Sequence, residues 1–275
     1  MMKITRIEKQ NEAYFLPFLH EAAREDRPGL LRIGAVLEDG TVVGAAAAVI
    51  DPAAMEMLSV YVLPEYRRKG FGTEMMDALS GVASEAGIAS VSVELKFDVE
   101  IMAFLRIVGF SFFYDYELCS VPIGIILRSQ KFKNAAKQFA SPNTRALSKA
   151  TAGERKMIHH YLAARNLPVE DGFEKEYSVF TAVGENRVLG ITLMERREDG
   201  MEFLWQSFED ADPKEGMDHL VTIVNLLDRS AEYDGAAKLY FSSEEERLPK
   251  LFSYFTGNES YTRREGIYMR GVRLL

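Results

Sequence analysis

The sequence predicts an α/β (α+β) protein built as two versions of one architecture, and three observations predict it. β-prone runs and amphipathic segments follow the order βαβββαβαβ over residues 3–121. The second half repeats the first at a constant offset of 146 residues. At residues 57–73, an apolar β-rich run stops at Pro64, a basic turn carries two glycines, and an amphipathic helix follows.

Each element has its own signal. Residues 3–8 alternate as a strand does, and residues 11–24 place Phe15, Phe18, Leu19 and Ala22 at helical spacing. Pro28-Gly29 ends that helix. Two β-like runs, 32–38 and 41–50, meet at Asp39-Gly40, a strong hairpin signal, and a third covers 55–62. From Thr73, the apolar positions Met75, Leu79, Val82, Ala83 and Ala86 describe a helix that Gly87 closes. Residues 90–95 read as a strand. Asp98 can cap a helix through Met102 and Leu105 that Gly109 ends, before an aromatic, β-prone run over 110–121. Residues 128–141 are basic and polar. These readings place one domain at 1–121, a linker, helical in part, at 122–143, and a second domain at 144–275.

The repeat supports the two-domain reading. Asp39-Gly40-Thr41-Val42-Val43-Gly44 aligns with Glu185-Asn186-Arg187-Val188-Leu189-Gly190, and Met55-Glu56-Met57-Leu58 with Met201-Glu202-Phe203-Leu204. The copies part at the glycine turn. Arg67 becomes Pro213, Lys69 becomes Glu215 and Gly72 becomes Asp218. An acidic group there repels phosphate, and a side chain obstructs close approach of a ligand to the backbone. The second copy is expected not to bind what the first binds.

Composition narrows the function. The 275 residues carry 33 basic and 41 acidic groups, a net charge of −8, which argues against general nucleic-acid binding. The one cysteine, Cys119, excludes an intramolecular disulfide framework and suits a reducing compartment. His20, His159, His160 and His219 show no metal-ligand spacing, so no metal is expected. The N-terminus lacks the apolar core of a secretory signal, and no apolar run approaches the roughly 20 residues that span a bilayer. A soluble, cytoplasmic protein without membrane or nucleic-acid partners is expected.

The glycine turn, Arg67-Arg68-Lys69-Gly70-Phe71-Gly72, carries the chemistry. Glycines admit close backbone approach, and a helix N-terminus offers unpaired N–H groups with a positive partial charge. Taken alone, the turn has two readings: a phosphate cradle, or a solvated basic turn whose glycines serve only tight geometry.

In context the sequence resembles the GNAT superfamily of acyl-CoA-dependent N-acyltransferases, whose signature is Arg or Gln, two residues, Gly, one residue, then Gly or Ala. Val62-Leu63-Pro64 upstream, the helix downstream and Val108-Gly109-Phe110 strengthen the match. The resemblance implies two GNAT-like domains, each a mixed, mostly antiparallel sheet flanked by helices with a splayed fourth and fifth strand, the second copy degenerate. It implies acetyl-CoA as acyl donor, its pyrophosphate on the backbone of Arg67, Arg68, Lys69, Gly70, Phe71, Gly72 and Thr73, and its pantetheine arm along Val60, Tyr61 and Val62. The acceptor would be a small-molecule amine or a protein amino group.

Two catalytic candidates follow from the same resemblance. Glu56 occupies the position where several members place a general base, and two-residue periodicity puts it on the face of Leu58, Val60 and Val62. A surface carboxylate is the other reading, since Glu202 repeats it. Members often carry a tyrosine as general acid four residues before the glycine of Gly-Phe, and here that residue is Leu105. Tyr116, or Tyr114, on the following strand could substitute; the other readings are that these aromatics only pack and that the leaving thiolate takes its proton from water. A non-catalytic acetyl-CoA-binding regulator is the alternative function. The tandem arrangement implies a monomer acting as an intramolecular pseudo-dimer, or a weak homodimer.

Overall fold

The computed structural model describes all residues except 1, 25, 52–53, 140, 166, 168–171, 184–186, 209–212, 234–235, 246 and 258–260. In chain order the first elements are β1 (Met2–Arg6), β2 (Leu30–Leu37), β3 (Val42–Ile50), β4 (Met55–Val62), α1 (Phe71–Glu85), β5 (Ser90–Lys96), α2 (Val99–Ile107) and β6 (Ser111–Pro122). Then come α3 (Ile123–Arg128), α4 (Gln130–Gln138), β7 (Thr144–Ala146), α5 (Ala152–Ala163), β8 (Val179–Val183), β9 (Arg187–Arg197) and β10 (Gly200–Phe208). The last are α6 (Pro213–Asp228), β11 (Lys238–Ser242), α7 (Arg247–Thr256) and β12 (Arg263–Leu274). The turn expected at Glu185-Asn186 lies outside the described residues.

Two compact units emerge, Met1–Asp115 with Ile267–Leu275, and Tyr116–Gly266. The boundaries at 121 and 144 read from the sequence are drawn differently here, because each half gives up its last strand. In the first unit β12 pairs antiparallel with β5, from Tyr268↔Lys96 to Leu274↔Ser90. In the second, β6 pairs antiparallel with β11, from Leu118↔Ser242 to Pro122↔Lys238. The strand order is β1-β2-β3-β4-β5-β12 in the first unit and β6-β11-β10-β9-β8-β7 in the second.

In the first unit, one face of the sheet buries Met55, Met57, Ala46 and Ala48 with Met75, Met76 and Leu79 of α1 and Leu105 of α2. The opposite face packs Ala45 and Ala47 against Phe15, Leu19 and Ala23. The helix expected over 11–24 is instead three short 3-10 turns, Glu12–Tyr14, Leu16–Phe18 and Glu21–Ala23. Pro17 accounts for the break, since it lacks an N–H and disfavours helical backbone just before it. Val82, one of the apolar positions that mark α1, is exposed.

The stretch read as a linker folds into α3 and α4, and Ile123, Ile126 and Phe132 are fully or almost fully buried in the second unit's core. Its lysines point outward while one apolar stripe packs, the behaviour of an amphipathic helix.

Candidate active site

The site of the first unit starts from a parting of strands. β4 and β5 run parallel and bond only through Met55↔Val91, Glu56↔Ser92 and Met57↔Val93. Beyond Met57 they separate, while β4 stays paired with β3 as far as Val62↔Gly44. Residues 58–62 therefore keep one backbone edge open, and an amide-bearing arm can bond to such an edge as an added strand does.

A bulge sits at the parting. Ser59 faces Ala47 and Met57 faces Ala48, which leaves Leu58 as the extra residue. Alternation resets there: Met55, Met57, Val60 and Val62 turn to the α1 face, whereas Leu58 packs on the opposite face. Glu56, paired with Val49, shares that opposite face with Tyr61, paired with Ala45. The sequence expectation that Glu56 shares a face with Val60 and Val62 is corrected, because period-two counting does not survive an inserted residue.

At the end of β4, Pro64–Tyr66 form a 3-10 turn and the Arg67 Nε donates to the Val62 carbonyl at 2.9 Å. Arg68 has φ 62°, the one described non-glycine residue with positive φ. Gly70, at φ 89°, is the N-cap of α1, a backbone conformation costly for a side chain. No side chain caps the helix. The first-turn amides of Phe71, Gly72 and Thr73 thus lie behind three exposed cations, Arg67, Arg68 and Lys69, an arrangement suited to phosphate. Gly72 has a packing reason as well: a Cβ there would meet the Phe104 ring at 3.0 and 3.1 Å.

Between the parted strands lies a cavity of about 640 Å³. Its wall runs from Pro17–His20 through Met57–Tyr61 and 93–98 to Ile101 and Leu105. Tyr61 stacks on Phe18 at 6.0 Å, with the Arg67 guanidinium 5.7 Å from its ring centre, so one aromatic links the cavity to the basic loop. Neither Glu56 nor Tyr116 is in the wall; Tyr116 belongs to the second unit. Leu105, which is 1% exposed, lines the cavity at the position where the resemblance implies a tyrosine. The Asp98 carboxylate is occupied as the α2 cap, accepting from the Glu100 and Ile101 amides at 2.9 Å.

Sequence reasoning missed two residues here. Glu94 of β5 lines the cavity. Arg270 of β12 stands opposite it in register, with its Nη2 3.4 Å from Glu94 and 3.1 Å from Asp115. The hydrogen bond to Asp115, then the charges of Asp115, Glu94 and Glu56, raise the Arg270 pKa above its ordinary value. The β-alternation of 90–95 could have flagged Glu94, but nothing local could place residue 270 beside it.

The second unit repeats the same framework. β10 runs parallel to β11 only over Gly200, Met201 and Glu202, and it bulges between Phe203 and Trp205 against β9. The extra residue, Leu204, stands 146 after Leu58.

Residues 2–110 match the acetyltransferase (GNAT) family model. A tandem GNAT protein from the clavulanic acid biosynthesis pathway superposes with TM-score 0.66 at 11% identity, covering 100% of this chain and 98% of that one. The chain has a tandem GNAT fold. A GCN5-related glucosamine N-acetyltransferase region in a fungal multi-domain GH3 β-N-acetylglucosaminidase superposes over 99% of this chain with TM-score 0.69 at 13% identity; the chain spans 38% of that protein. A GCN5-related N-acetyltransferase from Kribbella flavida gives TM-score 0.59 at 14% identity, covering 100% of this chain and 71% of that one. Likeness at such identities is likeness of fold. No curated protein matches the sequence.

The second GNAT unit uses its matching residues differently. Glu202, the counterpart of Glu56, is 6% exposed and held by the Arg197 guanidinium. Phe208 stands where Val62 stands in the first unit, packed edge-on to His219 with ring centres 5.0 Å apart. His219 is fully buried, its Nε2 2.9 Å from Thr181 Oγ1 and its Nδ1 2.8 Å from Thr192 Oγ1. Burial pushes its pKa down to about 3. Side chains at 213 and 215, compared above with Arg67 and Lys69, lie outside the described residues. Cys119 is buried, and burial raises its thiol pKa, which disfavours a thiolate. Among the described residues no His, Cys, Asp and Glu group is arranged to hold a metal, and no helix is long and apolar enough to cross a membrane.

Proposed function

We propose that this protein is an N-acetyltransferase whose first unit moves an acetyl group from acetyl-CoA to a primary amine by direct attack. The observation that carries the proposal is the parting of β4 from β5 beside a helix that starts at Gly70 with no side-chain cap. When bound, the donor supplies an activated thioester. The chain does the rest: the amides of 71–73 and the side chains of Arg67, Arg68 and Lys69 hold its phosphates, and the open edge of Val60, Tyr61 and Val62 aligns its arm.

The open edge of β4 also offers backbone N–H groups that would stabilise the charge gained by the thioester oxygen. Glu56, at the apex of the parting, is the carboxylate that would take the amine proton, directly or through water. The cavity offers Tyr61 as its one phenol, in place of the expected Tyr116. The acidic balance of the chain and its single buried thiol fit a cytoplasmic enzyme acting on cationic acceptors.

Leu105 favours a second reading, an acetyl-CoA-binding regulator without turnover, because it removes the usual proton donor. Thiol release from acetyl-CoA against an amine panel separates the two. Release with any amine supports the enzyme; calorimetric binding of acetyl-CoA with no release on any amine supports the regulator.

A further inference from the structure

We infer that Arg32 is a positioning residue for the donor: it pins the segment 12–24 beside the parted strands, and that segment clamps the arm of acetyl-CoA. The inference rests on the acetyl-CoA reading of the first unit and adds a residue that lies outside the cavity wall.

The segment depends on the sheet for its position. It consists of short 3-10 turns, and the amides of Phe15, Phe18, Leu19, Ala23 and Arg24 donate to carbonyls inside it, those of Glu12, Phe15, Leu16, His20 and Glu21. Such turns have poor hydrogen-bond geometry and do not persist alone, so side chains must attach them. One attachment is apolar. Phe15 lies over Gly34 of β2, where a Cβ would meet its ring at 2.0 Å, and Phe15, Leu19 and Ala23 bury against Ala45 and Ala47 of β3.

The other attachment is ionic. Arg32 pairs with Ala47 across the β2–β3 ladder and so shares the face that the segment covers. It is 8% exposed, and its fork divides between Glu12, where the segment starts, and Asp26, just past its end: Nη1 donates to Glu12 Oε1 and Nη2 to Asp26 Oδ1, both at 2.5 Å. Nη1 also donates to the Arg24 carbonyl at 3.3 Å, and Arg24 Nε to the Leu19 carbonyl at 3.0 Å. A buried guanidinium shared by two carboxylates fixes both by direction as well as by charge, which an ammonium does not reproduce.

Between those anchors lies the part that meets the cavity. Pro17, Phe18, Leu19 and His20 line it together with Met57–Tyr61 of β4, and Phe18 stacks on Tyr61 of the open edge. An arm bonded to that edge therefore shares the cavity with Phe18 and Leu19, whose carbon surface keeps water from the new backbone bonds and strengthens them. Because Arg32 holds the segment before the donor arrives, its ordering entropy is lost on folding and not on binding.

The test uses the full chain with two probes read by calorimetry, acetyl-CoA and ADP, which has a diphosphate and no arm. Arg32→Met is expected to weaken acetyl-CoA by about tenfold and ADP by less than about twofold. Glu12→Gln keeps the side-chain shape, removes the charge and guards against misfolding of the first variant; it should weaken acetyl-CoA by about threefold. Arg32→Lys should fall between the parent and Arg32→Met. Amide exchange reads the clamp directly: acetyl-CoA should slow exchange over residues 15–24 in the parent, ADP should not, and Arg32→Met should lose the slowing.

Parental acetyl-CoA affinity in both Arg32→Met and Glu12→Gln overturns the inference. So does equal weakening of the two probes, which is general loosening of the fold, or a parent whose segment exchanges alike with and without acetyl-CoA. A parent that binds no acetyl-CoA overturns the inference together with the reading beneath it. Selective weakening of acetyl-CoA with no thiol release on any amine sustains the inference and sinks the acetyltransferase reading.

Discussion

Gly72 and Gly70 stand two residues apart in one turn and have different reasons to be glycine. Gly70 needs a left-handed backbone at φ 89°, with open space around the missing side chain; Gly72 needs room for Phe104. A Gly72→Asp variant therefore disturbs packing and the proposed phosphate site together. Arg68→Glu with Lys69→Glu, at two exposed positions, isolates the charge: acetyl-CoA affinity should fall at least tenfold by calorimetry while the thermal midpoint stays within a few degrees. His219 gives a second prediction. Its folded pKa of about 3 lies below the ordinary value of 6.5, so below pH 6.5 the unfolded chain takes up a proton that the folded chain refuses. Stability should decline by about 1.4 kcal/mol per pH unit from 6.5 towards 3 on this account alone. Urea midpoints at several pH values should show that component in the parent and lose it in His219→Gln; equal slopes for the two would refute the assignment.

β12 decides more about the first unit than its distance along the chain suggests. It closes β5 over seven residue pairs from Tyr268 to Leu274 and brings Arg270 to the acidic cluster. Ending the chain after residue 266 should leave β5 as an exposed edge, so the truncated protein is expected to aggregate or to lose acetyl-CoA binding. A soluble truncate with parental acetyl-CoA affinity would show that the strand is dispensable. Arg270→Ala asks a narrower question at the same element: the fold should persist, and the affinity for amines should change while that for acetyl-CoA does not. The bulge at Leu58 teaches the same lesson on a smaller scale. Its repeat at Leu204 fits a designed feature of the framework, and it reverses the face that alternation assigns to Glu56.

The molecule as a whole carries one framework twice and the Arg67–Gly72 glycine turn once. Calorimetry should find one acetyl-CoA per chain; two equivalent sites would contradict the reading of the second unit as degenerate. Much of this was legible beforehand. The repeat, the β4–loop–α1 junction and the Asp98 cap are local in sequence, and periodicity and cap chemistry act over a few residues, so a linear reading reaches them. Residues 12–23 form 3-10 turns and not one helix because Pro17 overrides the helical spacing of the apolar residues. Glu94 stayed hidden because an alternating strand has two polar faces until a cavity selects one. By itself the sequence determined the two-part α/β plan and the glycine turn that opens α1, both written in short-range patterns. Only the tertiary structure decided that the final strands are exchanged and that Arg270, Asp115 and Glu94 meet, because pairing between strands far apart in the chain is settled by which edges and faces remain to be covered.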